Sequence, residues 1–269
     1  MIRKLLIGIA ALCFAHAAQA ADVMKMAVTT SFHNSGLADV LLPEIMKDLD
    51  LEVQLLVVGT GQALKLGRAG DVDAILVHSK AAEEAFVAEG FGTHRREIMY
   101  NDFVFIGPSA DPAAISGADS ATGSLQKIAE AKADFVSRGD DSGTHKKELG
   151  LWVAAGLEPA TFGDWYKAVG AGMGAALNTA SGLNAYILSD RASWLNFGNK
   201  GELALLYSGD PVLFNQYAYL PVNPALHGHV KTDLAQKLEG WLVSDRAKEL
   251  IDSYQINGET LFVFNAKSE

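Results

Sequence analysis

The chain has 269 residues, of which 49% are hydrophobic and 20% are charged. This composition is typical of a globular protein and excludes a disordered or fibrous chain. The 32 acidic residues outnumber the 22 basic ones, which argues against nucleic acid and anionic membranes as partners. A small anion is still compatible with this charge, because local donors would hold it and charges beyond about 8–10 Å are screened in salt.

The first twenty residues have the pattern of an export signal. Two basic residues precede an apolar run at residues 5–15, which is too short to span a bilayer, and Ala18-Gln19-Ala20 offers a small-residue cleavage site. We expect a periplasmic protein that begins at Ala21 once residues 1–20 are removed. Cys13 is the only cysteine and would leave with the signal, so neither disulfides nor a cysteine nucleophile are expected.

After the signal, short β-type runs alternate with helical patterns. Residues 51–58 begin with alternating apolar and polar side chains, the pattern of a strand with one buried face. A four-residue apolar spacing predicts a helix from about Ser35, which Pro43 should kink or break. In chain order, the predicted elements are strand 23–28, the helix from 35, strand 51–58, helix 62–68, strand 73–77, helix 81–89, strand 99–107, helix 125–132, strand 134–137, helices 144–155 and 174–180, strands 185–188, 203–207 and 213–220, helices 230–242 and 244–254, and strand 261–264.

Strands separated by helices indicate parallel β-α-β units, so we predict an α/β fold with parallel-rich sheets. Two long predicted strands, near residues 102–107 and 213–220, bracket the central part of the chain. They are interpreted as crossover strands between two lobes. The first lobe is predicted to comprise residues 21–105 and 218–269, and the second lobe residues 106–217.

Four of the predicted strand-to-helix turns are rich in hydroxyl groups or glycine. Ligands of open parallel sheets bind beyond the carboxyl ends of the strands, where these turns lie. Each turn also begins a helix, whose first N–H groups are unpaired and favour a negative charge. The four turns are Thr29-Thr30-Ser31, Gly59-Thr60-Gly61, His78-Ser79 and the run from Arg138 to Thr144.

The fourth turn is the most specific of the four. Ser142 and Thr144 place hydroxyl and backbone donors at one helix start, and the Arg138 guanidinium adds a fork of donors with a permanent charge. Asp140 or Asp141 could hold that guanidinium in place. Any single hydroxyl here could instead be only a helix N-cap, which is an ordinary use of serine and threonine.

The run at residues 138–144 resembles the anion loop of periplasmic phosphate- and oxyanion-binding proteins. The chain resembles more closely the tungstate-binding proteins of ABC importers, of the Tup type. These matching segments occur in order and span most of the chain after the signal. They are Thr29-Thr30-Ser31 with Ser35-Gly36-Leu37, GTGQALKLGRAGDVDAILVH (59–78), MYNDFVFIGP (99–108), SRGDDSGTHKKELGLW (137–152), Gly172-Met173-Gly174 and AYILSDR (185–191).

The resemblance implies the two-lobe fold of class II solute-binding proteins, which close around a ligand by hinge motion. It implies capture of tungstate by a monomer, without a cofactor or a metal other than the tungsten of the ligand, and delivery to an inner-membrane ABC permease and its ATPase. The family often has threonines at positions 28 and 32 and an aspartate at 34. Val28, Phe32 and Asn34 are therefore not expected to bind the ligand.

A fully ionised tetrahedral oxyanion only accepts hydrogen bonds, so its site should consist of donors. Charge-assisted bonds contribute roughly 1.5–3 kcal/mol each, and several of them would offset the cost of desolvating a dianion. We predict that Arg138 supplies the charged donor and that hydroxyl and backbone groups supply the others. The predicted ligand-binding residues are Thr29, Thr30, Ser31, Thr60, Gly61, Arg138, Ser142, Gly143 and Thr144.

The third turn bears on which oxyanion binds. Phosphate keeps a proton at neutral pH and needs a buried acceptor, whereas this turn carries His78 and Ser79 rather than an aspartate. An unpaired buried donor costs about 1–3 kcal/mol, which favours tungstate, molybdate or sulfate over phosphate. Asp140 could still be the acceptor, so phosphate stays an alternative. Tungstate and molybdate are nearly equal in size, and only the family resemblance prefers tungstate.

An enzyme on a two-lobe fold is the alternative of a different class. Ser142 and His145 could be a nucleophile and its base, but the sequence has no Gly-x-Ser-x-Gly elbow and indicates no third triad member. His227 and His229 lack a third metal ligand and are interpreted as part of a surface loop. The glycine-rich run at 170–174 lacks the strand and acidic partner of a dinucleotide site and is interpreted as a helix entry near the cleft.

Overall fold

The computed structural model describes residues 21–267. The predicted signal peptide at residues 1–20 lies outside the described residues. Within the described part, none of the helices combines the length and the apolarity needed to cross a bilayer.

Most helices form where the apolar spacing predicts them, and several begin at a side chain that caps the first turn. The hydroxyls of Ser120, Ser142 and Ser244 each accept a bond from the N–H group three residues further on. The helices of the described chain are α1 (Thr30–Asn34), α2 (Leu37–Leu49), α3 (Thr60–Ala69), α4 (Lys80–Ala88), α5 (Ala121–Ala131), α6 (Gly143–Ala154), α7 (Met173–Leu183), α8 (Arg191–Asn196), α9 (Thr232–Leu242) and α10 (Asp245–Ser253).

The strands also lie close to their predicted positions. The strands of the described chain are β1 (Asp22–Thr29), β2 (Leu51–Val58), β3 (Ala74–Val77), β4 (Arg96–Pro108), β5 (Phe135–Ser137), β6 (Tyr166–Ala168), β7 (Tyr186–Asp190), β8 (Leu203–Tyr207), β9 (Phe214–Pro221), β10 (Gln255–Ile256), β11 (Glu259–Thr260) and β12 (Val263–Phe264).

Pro43 lies inside α2, so of the kink or break predicted at this residue the break is wrong, and the kink stays a prediction. A proline removes one backbone hydrogen bond of a helix interior. Burial of Leu37, Leu41 and Ile45 against the core offsets that loss and keeps the helix continuous to Leu49.

The paired strands follow the order β2-β1-β3-β9-β4-β7-β5-β6, with β12 and β8 paired to β4. On one side, β1 is parallel to β2 and β3, whereas β9 runs antiparallel to β3 and β4. On the other side, β5 is parallel to β6 and β7, whereas β7 and β8 run antiparallel to β4. This mixed sheet, with three parallel strands at each end and helices between the strands, confirms the predicted α/β class.

Strand β4 connects the two sides. Its residues 96–102 pair with β9, whereas residues 103–108 pair with β7 and β8. We refer to the side with β1, β2, β3 and β9 as the first lobe and to the side with β5, β6, β7 and β8 as the second lobe. The exact residue ranges predicted for the lobes stay predictions.

Five short elements differ from the sequence-based expectation. Residues 30–34 form the helix α1 rather than a polar turn, and β6, α8, β10 and β11 have no predicted counterpart. These elements have two to six residues. Segments of that length contain at most two turns of a helix or one side-chain alternation of a strand, so they have little periodicity to detect.

Aromatic side chains are prominent in the second-lobe core. Phe135, Trp152 and Tyr186 are buried there, with at most 1% of each exposed. In the first lobe, α2, α9 and α10 cover the sheet and contribute Leu41, Leu238 and Ile251 to the core. The burial of apolar surface on both sides holds the strand ends that border the cleft in fixed positions.

Candidate functional site

A cavity of about 370 Å³ lies where the carboxyl ends of the parallel strands of both lobes meet. In the first lobe, β1, β2 and β3 end at one edge; in the second lobe, β5, β6 and β7 do the same. This is the position at which open parallel sheets bind ligands. The cavity is lined by Thr30, Ser31, Asn34, Arg138, Gly172, Met173, Gly174, Leu177, Asp190, Ala192, Ser193, Asn196 and Phe197.

The first lobe brings hydroxyl groups to this cavity. The Thr29 side chain is buried and caps α1 by accepting from the Phe32 N–H, so it serves the helix and does not line the cavity. The Ser31 hydroxyl is 3.0 Å from the Thr29 hydroxyl, 2.9 Å from His78 Nε2 and 3.2 Å from the Tyr217 hydroxyl. This network holds Ser31 at the cavity wall.

His78 supports Ser31 and also faces the second lobe. Its ring packs on Tyr217, with the ring centroids 4.8 Å apart. Burial lowers the pKa of His78 to about 4, so the ring is neutral at neutral pH. A Cβ atom at Gly143 would lie 3.3 Å from His78 Cε1, so the start of α6 approaches this ring closely. His78 is therefore a contact between the lobes.

Arg138 is the cation of the cavity. Its Nη2 donates to Asp140 Oδ2 at 2.5 Å, and its Nη1 donates to the Thr144 hydroxyl at 3.4 Å. Burial tends to raise the pKa of the Asp140 carboxyl, but the Ser142 and Arg138 hydrogen bonds outweigh burial and lower this pKa, so Asp140 is ionised. The Nε atom of Arg138 is buried without a hydrogen-bond partner among residues 21–267. That N–H group is available to an anion.

The loop that carries Arg138 is shaped by close backbone approach. Gly139 has a φ of +60°, and a Cβ there would lie 3.0 Å from the Ala168 Cβ, so any other residue would be strained at this position. The Val169 and Ala171 N–H groups donate to the Ser137 and Arg138 carbonyls at 3.0 Å. These bonds bring the start of α7 next to Arg138.

The N-terminus of α7 opens into the cavity. Its N-cap is Gly172, which makes no side-chain cap bond, and Met173 and Gly174 also line the cavity. The first N–H groups of a helix have no partner within the helix, so this end offers donors and partial positive charge. The sequence interpretation of residues 170–174 as a helix entry near the cleft is confirmed, although these residues are absent from the predicted ligand set.

A buried carboxyl group, Asp190, also lines the cavity and is absent from the predicted set. Asp190 ends β7 and caps α8 by accepting from the Ser193 N–H at 2.9 Å. Burial raises the pKa of Asp190, and the nearby Arg138 charge opposes this rise. The cavity wall therefore includes a carboxyl group that could be the buried acceptor which phosphate needs, and the expectation that the ligand meets only donors stays a prediction.

The nine predicted ligand residues divide into two groups. Thr30, Ser31 and Arg138 line the cavity together, although they come from different lobes. The other six do not line it: Thr29, Thr60, Gly61, Ser142, Gly143 and Thr144. Of the residues expected not to bind, Val28 and Phe32 are buried in the core, whereas Asn34 lines the cavity. Whether any of them contacts a ligand stays a prediction.

The histidines considered in the sequence as metal ligands or as a catalytic base form hydrogen bonds within the protein. The His227 and His229 rings bond to the Arg68 and Gly70 carbonyls. His145 Nδ1 accepts from the Asp141 N–H, and the Ser142 hydroxyl accepts from the His145 N–H, so this pair is not arranged as nucleophile and base. Between residues 21 and 267, no three acidic, histidine or cysteine side chains are grouped as metal ligands.

The chain is similar to known solute-binding proteins over most of its length. A family model described as a PBP superfamily domain matches residues 15–246. The tungstate-binding protein TupA of Peptoclostridium acidaminophilum is 45% identical over 252 residues, which cover 92% of this chain and 87% of that protein.

Two solved structures are also similar. The tungstate-binding protein TupA from Desulfovibrio alaskensis G20 has a TM-score of 0.86 and 45% identity, with 92% of this chain and 100% of that chain covered. The structure of the tungstate ABC transporter from Geobacter sulfurreducens has a TM-score of 0.79 and 46% identity, with 88% and 100% covered.

These relatives carry the names of binding and transport proteins, so the enzyme alternative does not apply. The resemblance inferred from the sequence motifs is confirmed. The chain belongs to the PBP superfamily and, within it, to the family of the TupA proteins.

Proposed function

We propose that this protein captures tungstate in the periplasm for an ABC importer and binds the anion in the cavity between its lobes. Relatives with 45% identity over most of the chain are named as tungstate-binding proteins, which supports the same ligand here. The observation that carries the proposal is the buried Nε–H group of Arg138, a residue that lines this cavity. This group has no hydrogen-bond partner among the described residues. An anion there would accept that bond and balance the charge.

The cavity provides neutral donors around this cation. The hydroxyls of Thr30 and Ser31 approach from the first lobe, and the N–H groups at the start of α7 approach from the second. A ligand held by both lobes would favour the closed arrangement of the two. Closer approach of the lobes would also bring the start of α6, with Ser142, Gly143 and Thr144, nearer to the ligand.

Delivery of tungstate to a transporter is proposed from the same family membership. An anion-loaded protein would act as a monomer, without a cofactor, and would pass tungstate to an inner-membrane permease driven by its ATPase. The relative from Geobacter is named as a tungstate ABC transporter, which supports this type of partner. The predicted signal peptide supports a periplasmic location.

Calorimetric titration with separate anions tests the ligand. We expect tight binding of tungstate, comparable or weaker binding of molybdate, and weaker binding of the smaller sulfate. Tungstate should also raise the unfolding temperature of the protein, because a ligand that binds only the folded state stabilises it. This measurement is independent evidence of binding. Tight phosphate binding without any tungstate signal would contradict the proposal.

Monohydrogen phosphate is the second candidate ligand, and a single observation favours it. Asp190 is a buried carboxyl group at the cavity wall, and it could accept the proton that phosphate retains. The same titration separates the two candidates, since a site that requires a protonated ligand rejects tungstate.

A further inference from the structure

Asp190 is placed beside the proposed ligand by the sheet itself. Strands β5 and β7 are parallel neighbours, with Val136 opposite Ile187, so the residues that follow them emerge at the same edge. Arg138 follows β5 and Asp190 ends β7, and both line the cavity. Asp190 is only 4% exposed. A dianion in this cavity would lie beside a carboxyl group that has little access to water.

An ionised Asp190 would oppose that dianion in two ways. Like charges in a poorly solvated site disfavour each other, and both partners would only accept hydrogen bonds. Protonation removes both conflicts, because one carboxyl oxygen gains a hydrogen to donate. The other oxygen can still accept from the Ser193 N–H, so the cap of α8 is preserved.

We propose that Asp190 takes up a proton when tungstate binds and that the resulting carboxylic acid donates a hydrogen bond to an oxygen of the anion. The proton comes from solvent, no covalent bond to the ligand forms, and the proton is released again when tungstate leaves. The inference rests on the proposed function. It makes Asp190 the residue that couples affinity to pH in this protein.

The arginines next to Asp190 form ion pairs with other carboxylates. Arg191 forms a bidentate pair with Asp102, with both bonds at 2.6 Å, and also lies 3.7 Å from Glu259. Arg138 pairs with Asp140 and lies close enough for its charge to act on Asp190.

On α6, which packs against β7, Lys147 lies over the Phe103 ring, and Glu148 accepts from Ser137, Trp152 and Tyr166. Burial raises the pKa of Glu148 as well. These bonds tie Glu148 to the second-lobe core rather than to the cavity wall.

Two further titratable groups face this region from the first lobe, and neither replaces Asp190. Burial raises the pKa of Tyr217 beyond the physiological range and lowers that of His78 to about 4. Helix α7, which lines the same cavity, carries no titratable side chain. Among the described residues that line the cavity, Asp190 is the acidic one, and burial already raises its pKa.

The sign of the pH dependence follows from this arrangement. If the complex holds a proton that the free protein lacks, tungstate affinity falls as pH rises, by up to about tenfold per pH unit for one proton. An asparagine at position 190 presents an acceptor to the Ser193 N–H and a donor to the anion without titrating, and it is an equally good N-cap.

The test is titration calorimetry with sodium tungstate at one pH, in two buffers of different ionisation enthalpy. The wild-type protein should take up a proton, to a maximum of one per tungstate. Asp190→Asn should bind at least as tightly at mildly alkaline pH and take up none. Asp140→Asn, which removes a carboxylate that pairs with Arg138 outside the cavity wall, should weaken binding but keep the proton uptake.

Several outcomes would overturn the inference. Tungstate binding without proton exchange in the wild-type protein would do so, as would unchanged uptake in Asp190→Asn. Uptake that disappears in His78→Gln but persists in Asp190→Asn would place the proton on the imidazole instead. The absence of any tungstate binding in the wild-type protein would refute the proposed function itself, which separates the two failures.

If Asp190→Asn fails to fold, infrared difference spectroscopy of the wild-type protein keeps the inference testable. Tungstate should produce a new carbonyl band of a protonated carboxylic acid in a poorly solvated site. Binding without such a band overturns the inference.

Discussion

The second lobe contains two helix starts beside each other that differ in their N-caps. The start of α6 is capped by its own side chains: the Ser142 hydroxyl accepts from the His145 N–H, and Asp140 accepts from the Ser142 N–H. The start of α7 has Gly172 as its N-cap, without a side-chain bond. The hydroxyl groups in the sequence point to the start of α6, but the start of α7 is the one that lines the cavity.

This difference shows how a helix start becomes available to a ligand. A capping hydroxyl satisfies one N–H group and fills the space in front of it. A glycine at the same position leaves the N–H groups of the first turn open and keeps the approach clear. In this lobe, the hydroxyl-rich start of α6 is closed by its own cap, and the start of α7 with its glycine N-cap is the one left open for an anion.

Arg138 lies between the two helix starts, and its loss should have the largest effect. Arg138→Ala removes the cation and the free Nε–H donor, so we expect tungstate affinity to fall by more than about a hundredfold. Arg138→Lys should weaken binding less and reduce the preference between tungstate and molybdate, because the planar fork is lost. Calorimetry measures both, and unchanged affinity in the alanine variant would refute this assignment.

A proline in the first turn of α7 tests whether its N–H groups bind the anion. Gly174→Pro removes one N–H group that the helix does not use, at a position where an added Cβ meets no atom within 4 Å. We expect about 10- to 100-fold weaker tungstate binding, since a bond to a charged group contributes roughly 1.5–3 kcal/mol. Gly174→Ala keeps the N–H group and is the matched control, and equal affinities of the two variants would exclude the contact.

His78, which approaches the start of α6, should make stability depend on pH. Its pKa of about 4 lies below the ordinary value of 6.5, so the folded state binds fewer protons than the unfolded state between these pH values. Stability should therefore rise with pH across this window and gain nothing from His78 above it. We expect the wild-type protein to gain about 3 kcal/mol relative to His78→Gln over this interval. Urea unfolding of both proteins at several pH values measures the difference, and parallel curves would contradict it.

The smallest effect is expected at the capped start. Ser142→Ala should cost about 1 kcal/mol of unfolding free energy, whereas Ser142→Gly should cost only a few tenths of a kcal/mol. Tungstate affinity should change by less than about twofold in both, because this hydroxyl does not line the cavity. A large loss of affinity without a loss of stability would show that Ser142 contacts the ligand after the lobes close.

Much of the fold follows from local patterns. The alternation in β2 and the apolar spacing in α2 and α9 place these elements within a few residues of their observed ends. Short elements such as α1 and β6 are missed because they contain too little periodicity. The sequence left a break at Pro43 open beside a kink, since it does not show how much apolar surface the rest of α2 buries.

The site was predictable only in part. Arg138 is identifiable because a guanidinium beside a hydroxyl-rich helix start is an unusual combination. For Asp190, the sequence offers one usable signal, a carboxyl group just after a predicted strand. This signal does not reveal that β7 is the parallel neighbour of β5. The tie between Ala171 and Arg138, which brings α7 to the cavity, is likewise a contact between separate segments.

The sequence by itself determined the α/β class, most of the elements and the family, because periodicity and motif order are local properties of the chain. Only the tertiary structure decided which strand ends are neighbours and which helix starts are left open by their caps. Those choices depend on strand pairing and side-chain burial between distant segments. They set a buried carboxyl group, a partly buried cation and the start of α7, which has no side-chain cap, around one cavity.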